Sequence, residues 1–127
     1  MSLLVPLAFL FGLGGSAPPA ADLPAASKLE IDALLTRLGL SDCRFYRNGQ
    51  WYDGEAAQSH LRMKYDYLQK KGWVHSTEEF IERAGTQSSL SSEPYQVQCP
   101  NHPPVKSADW LTDQLRQRRM AHQDRKP

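Results

Sequence analysis

The chain has 127 residues, 40% of them hydrophobic and 23% charged, with 15 Lys+Arg against 14 Asp+Glu. That is enough for one domain with its own core, and the near balance of charge argues against a protein whose main work is gripping a polyanion, so no nucleic-acid partner is expected. Two cysteines and four scattered histidines offer no metal-ligand spacing, and neither a metal nor a cofactor is expected.

The first segment reads as a delivery signal. Leu3 to Leu13 is an uncharged apolar run followed by small residues, Gly14-Gly15-Ser16-Ala17 and then Pro18-Pro19-Ala20-Ala21. A spanning helix needs about 20 apolar residues, whereas a run this short matches the hydrophobic region of a secretory signal. Cleavage fits either after Ala17 by residue size or near Ala26. Residues 1–26 are therefore expected to be signal peptide and lead-in, 27–115 a single domain, and 116–127 a basic, frayed tail. No stable membrane span remains once the signal is removed. In an exported protein a lone cysteine pair is read as a disulfide, Cys43–Cys99. Closing so long a loop contributes about 4 kcal/mol in the chain-entropy relation.

Ser27 with Glu30 has the form of a capping box, and Ile31, Leu34, Leu35 and Leu38 follow at helical period up to Gly39. Cys43 to Asp53 is a hairpin written around Asn48-Gly49, the pair that a type I′ turn requires. Its pairs are Arg47 with Gln50, Tyr46 with Trp51, and Phe45 with Tyr52. One face carries Cys43, Phe45, Arg47, Gln50 and Tyr52, and the other Arg44, Tyr46, Trp51 and Asp53. A second helix over 54–71 starts on Asp53 as N-cap and ends at Gly72. A short third helix starts on Ser76 with Glu79 closing its capping box. After a Ser-rich loop, 94–99 alternates as a strand with Tyr95, Val97 and Cys99 on one face, which brings Cys99 beside Cys43. Residues 101–105 read as a Pro-rich connection, and Ser107 as the cap of a last helix burying Trp110, Leu111 and Leu115. The fold class is α+β, about four helices packed on a three-stranded antiparallel sheet made of hairpin 43–53 and strand 94–99.

Several short motifs, taken in order, resemble the YfeK-like family of small exported bacterial proteins. They are Arg47-Asn48-Gly49, Glu55-Ala56, His60-Leu61-Arg62 with Lys64, Thr77-Glu78-Glu79-Phe80-Ile81, Ser88-Ser89, and Pro94-Tyr95 with Val97. The likeness covers roughly residues 28–110. It implies a Gram-negative periplasmic setting and no activity, the family being a domain of unknown function. Relatives tend to carry Gly where this chain has Ser92, so a positive φ there would be strained in this chain.

Five residues are singled out as a candidate binding set: Tyr46, Arg47, Trp51, His60 and Lys64. His60 and Lys64 are i, i+4 on one helix face, suited to a carboxylate or sugar acid with Arg47 close by, while Arg62 points away. The bland reading is a His60 bonded to backbone and a Lys64 lying over apolar surface. Tyr46 and Trp51 point away from the core face and are either covered by a helix or exposed as an aromatic patch. There is no Gly-x-Ser-x-Gly elbow and no Ser-x-x-Lys pair, so the chain reads as a non-enzymatic module for an envelope protein or glycan. The alternative is a small envelope hydrolase using His60 with a serine of 88–92.

Overall fold

A computed structural model describes residues 22–125. The apolar run Leu3–Leu13, the cleavage point after Ala17 and the last two residues lie outside the described part. Helix α1 spans Ala25–Leu40 and buries Ile31, Leu34, Leu35 and Leu38, the stripe read from the sequence. It starts two residues before Ser27: Pro24 occupies the N-cap with no side-chain bond, and Ser27 is inside the helix. Leu23, counted with the lead-in, is 6% exposed and belongs to the core. At the other end Gly39 remains helical, and Ser41 closes α1 by turning its amide and hydroxyl onto the Leu38 carbonyl.

Strands β1 (Arg44–Arg47) and β2 (Gln50–Tyr52) form the hairpin in the expected register. Asn48 and Gly49 both take positive φ, 48° and 83°, as the turn type demands. Strand β3 (Gln96–Gln98) pairs antiparallel with β1, Arg44 opposite Gln98 and Phe45 opposite Val97. Continued by one step, that register sets Cys43 opposite Cys99, and the two form the disulfide with Cα atoms 4.0 Å apart.

The sheet has four strands, not three. Strand β4, Val105–Lys106, pairs with β3 in the order β2-β1-β3-β4. Two residues cannot display an alternating pattern, and Pro103-Pro104 just before them reads as loop, so this strand is defined by its partner rather than by its own sequence.

Helix α2 (Gly54–Lys70) begins on the Asp53 cap, whose carboxylate accepts from the Ala56 amide at 2.8 Å, and the positive φ of Gly72 follows it. Helix α3 (Thr77–Ala84) has Ser76 as N-cap. Glu79 reaches back one residue further than a capping box requires, to the amide of His75 at 2.7 Å. Helix α4 (Ser107–Gln123) has Lys106 at its N-cap and no side-chain cap bond, so the buried Ser107 is its first residue and not its cap. It continues past 115 to Gln123. There Arg119 bridges Glu30 of α1 at 2.8 Å and Glu78 of α3 at 2.6 Å, which joins three helices at one end. Thr77 donates to the same Glu30 at 2.7 Å.

The core lies between the helices and one sheet face, where Phe45, Tyr95 and Val97 meet Leu61, Tyr65, Phe80, Leu111 and the α1 stripe. Among the described residues no helix is long and apolar enough to cross a membrane.

Candidate functional site

The junction of hairpin and α2 is built rigidly from local rules. Asp53 both ends β2 and caps α2, so the helix starts at a fixed place beside the sheet. Two turns on, His60 points toward Tyr95, just ahead of β3, with Nε2 and the phenolic oxygen 3.1 Å apart. One turn further, Lys64 donates from Nζ to the same phenolic oxygen at 3.1 Å and to the Gln87 carbonyl at 3.0 Å. An ammonium has only donors, so the Tyr95 oxygen accepts from Lys64 and its own hydrogen is available to a neutral imidazole.

The electrostatics agree with a neutral imidazole. Burial, with Arg47 and Lys64 close by, lowers the His60 pKa to about 4. Burial and then Arg47 lower Lys64 from its ordinary value, and burial raises Tyr95. The Arg47 guanidinium lies 4.4 Å over the ring of Tyr52. Neither Arg47 nor Lys64 forms a salt bridge among the described residues. Arg62 does, with Asp32 of α1 at 3.1 Å, and so faces away from this cluster as its spacing predicts.

Beside the cluster is a pit of about 30 Å³, lined by the apolar Phe45, Ala57 and Leu61 and by the polar Arg47, His60 and Tyr95. Pockets for drug-sized ligands run to roughly 300–1,000 Å³. This one holds about two groups of water size, at 10–15 Å³ for each. Such a pit fits the tip of a ligand and not the whole.

Tyr46 and Trp51 belong to the opposite sheet face. Trp51 is 37% exposed and Tyr46 half-buried, so the far face is open and not covered by a helix. Their rings meet edge to face at 5.3 Å, and Arg44 lies 5.2 Å over Trp51. The five candidates thus divide into two sets: Arg47, His60 and Lys64 on the helix side, Tyr46 and Trp51 on the other. Tyr95 joins the first set, although its alternation with Val97 and Cys99 marks it only as core. The usable signal is that a buried tyrosine hydroxyl needs a partner, and the i, i+4 pair His60 and Lys64 supplies two.

The serine loop is occupied with its own turn. Buried Ser88 accepts from the amides of Leu90 and Ser91 at 3.1 and 3.3 Å. Ser91 donates to Asn48 at the hairpin tip at 2.6 Å, and Tyr46 donates to Glu93 at 2.7 Å. Among the described residues His60 bonds to Tyr95 and to none of these serines. Ser92 takes φ 59°, the conformation in which a side chain costs energy and glycine does not. Ser92→Gly is expected to stabilise the fold by about 0.5–1 kcal/mol, a rise of a few °C in Tm. A lower Tm in a thermal melt would contradict that.

Among the described residues no group of three or more His, Cys, Asp or Glu side chains is placed to hold a metal ion. Residues 25–119 match the model of a family of unknown function, DUF5329. The uncharacterized protein YfeK of Salmonella typhimurium (strain LT2) is 33% identical over 79 residues, covering 61% of this chain. The match spans 64% of that relative's length. No solved structure matches the chain.

Proposed function

The chain belongs to the DUF5329 family, whose function is unknown, and within it we propose a non-enzymatic binding module of the bacterial cell envelope. Its site is the cluster of Arg47, His60 and Lys64, and its target an anionic group on an envelope protein or glycan. The observation that carries the reading is the pair Arg47 and Lys64. Two cations flank a neutral histidine, Arg47 lining the pit beside His60 and Lys64 one helical turn further on, and no acid is paired with either among the described residues. A half-buried cation without a counter-ion costs desolvation energy that an incoming anion offsets. Lys64 spends two donors on Gln87 and Tyr95 and keeps a third. Arg47, stacked on Tyr52, presents a planar fork that matches a carboxylate.

An exported, periplasmic location is part of this proposal. The apolar run Leu3–Leu13 with the small residues after it supports that location, as does a cross-strand disulfide of the kind that persists in oxidising compartments. The far face, with Trp51, Tyr46 and Arg44, offers an aromatic-basic surface to the same partner.

The site is tested by titrating the ¹⁵N-labelled, oxidised protein with sodium acetate at constant ionic strength and following amide shifts by NMR. Saturable shifts around Arg47, His60 and Tyr95 are expected in the native protein. They are expected to weaken at least tenfold in Arg47→Met, since losing a charged hydrogen-bond partner costs roughly 1.5–3 kcal/mol. Shifts that do not saturate, or that survive the substitution unchanged, would remove the reading.

A further inference from the structure

The pit beside the cationic cluster is small, and its two kinds of lining are specific. Phe45, Ala57 and Leu61 supply an apolar wall with no hydrogen-bonding group on their side chains, while Arg47, His60 and Tyr95 are among the polar residues beside them, with Tyr52, Gln96 and Ser107 also on the lining. Its volume of about 30 Å³ is on the scale of one methyl-sized group together with part of a carboxylate. A ligand that satisfies both linings carries its negative charge within one carbon of a methyl group. A phosphate or sulfate would leave the apolar wall facing polar oxygens, and a long aliphatic acid would not fit.

We propose that the pit recognises a 2-substituted propionate, a carboxylate whose α-carbon bears a methyl. The methyl lies against Ala57 and Leu61, and the carboxylate pairs with Arg47. This rests on the anionic-site reading above and narrows it to one ligand chemistry. Two envelope sources offer that chemistry: the C-terminal alanine of a peptide, and a lactyl ether on a sugar. The third substituent of the α-carbon, amide nitrogen or ether oxygen, leads out of the pit to the remainder of the partner. The pit's size sets that limit.

Four N-acetylated compounds and one sugar acid test this by calorimetry or NMR titration on the oxidised protein. N-acetylalanine is expected to bind about fourfold tighter than N-acetylglycine, the effect of one buried methyl group. N-acetylleucine is expected to bind more than tenfold more weakly than N-acetylalanine, and N-acetylalanine amide not to bind. Binding of N-acetylmuramic acid alone would identify the sugar source, and of N-acetylalanine alone the peptide source. Ala57→Leu, which fills the pit from a partly buried helix position, is expected to bring the alanine-to-glycine ratio to one while carboxylate binding persists. Equal affinity for the glycine, alanine and leucine compounds would overturn the methyl pocket and leave the anionic site standing. Failure of every carboxylate to bind would remove both.

Discussion

Reducing the Cys43–Cys99 bond is expected to lower the melting temperature by roughly 15–30 °C. The bond closes a loop of 56 residues, worth about 4 kcal/mol in the chain-entropy relation, and a domain of this size moves roughly 4–8 °C for each kcal/mol. The effect is large because of what lies inside the loop. The hairpin, helices α2 and α3, the whole serine loop and β3 fall between the two cysteines, so the cross-link restrains half of the fold in the unfolded chain. It also joins β1 to β3, the two central strands of the sheet. The double substitution of both cysteines by alanine should reproduce the reduced protein. A shift below about 3 °C, measured by calorimetry with and without dithiothreitol, would show that the bond contributes little. The same melt on protein recovered from cells without added oxidant tests the proposed compartment: a low-melting, reduced species would overturn the periplasmic location.

Gly54→Ala is expected to cost about 1–3 kcal/mol, the usual penalty of overpacking. A Cβ at this position would lie 2.5 Å from the Leu38 carbonyl oxygen and 3.1 Å from that of Ser41. Both are backbone atoms at the end of α1, so relief requires α1 and α2 to move apart. Within a helix alanine normally gains about 1 kcal/mol over glycine, which makes a loss diagnostic. Gly39→Ala provides the contrast. Its Cβ meets the end of the Gln58 side chain, which can rotate away. Thermal melts should therefore place Gly39→Ala at or above the native protein and Gly54→Ala below it. Equal behaviour of the two would mean that the close approach of α1 to α2 at Gly54 is unimportant.

The two glycines illustrate how sequence and structure differ as sources. Gly39, one residue from the end of an apolar stripe, reads as a helix stop, yet the helix runs on to Leu40. What lies against it is the side chain of Gln58, nineteen positions away by number and adjacent in space. Ser27 and Ser107 read as caps for the same local reason, and in both places tertiary contacts take the helix start elsewhere. For α1, buried Leu23 anchors the chain ahead of Pro24. For α4, pairing of Lys106 with Gln96 holds the residue before Ser107 in a strand.

Where a rule is satisfied by neighbours in the chain, the sequence by itself was sufficient. Asn48-Gly49 dictates the turn and so the register of β1 with β2. Asp53 and Ser76 start their helices, and the stripe of α1 buries as its period requires. The Cys43–Cys99 pairing follows from alternation in two strands that must lie side by side. The positive φ at Ser92 was legible only through the glycine that relatives tend to carry there. The tertiary structure alone decided the rest: the two-residue β4, the outer face left open around Trp51, and the meeting of Lys64 and His60 on the Tyr95 hydroxyl. Each depends on a partner outside the segment itself, or on what fails to cover a surface. Local propensity carries no information on either, because hydrogen bonding and burial between distant segments are set by packing of the whole chain.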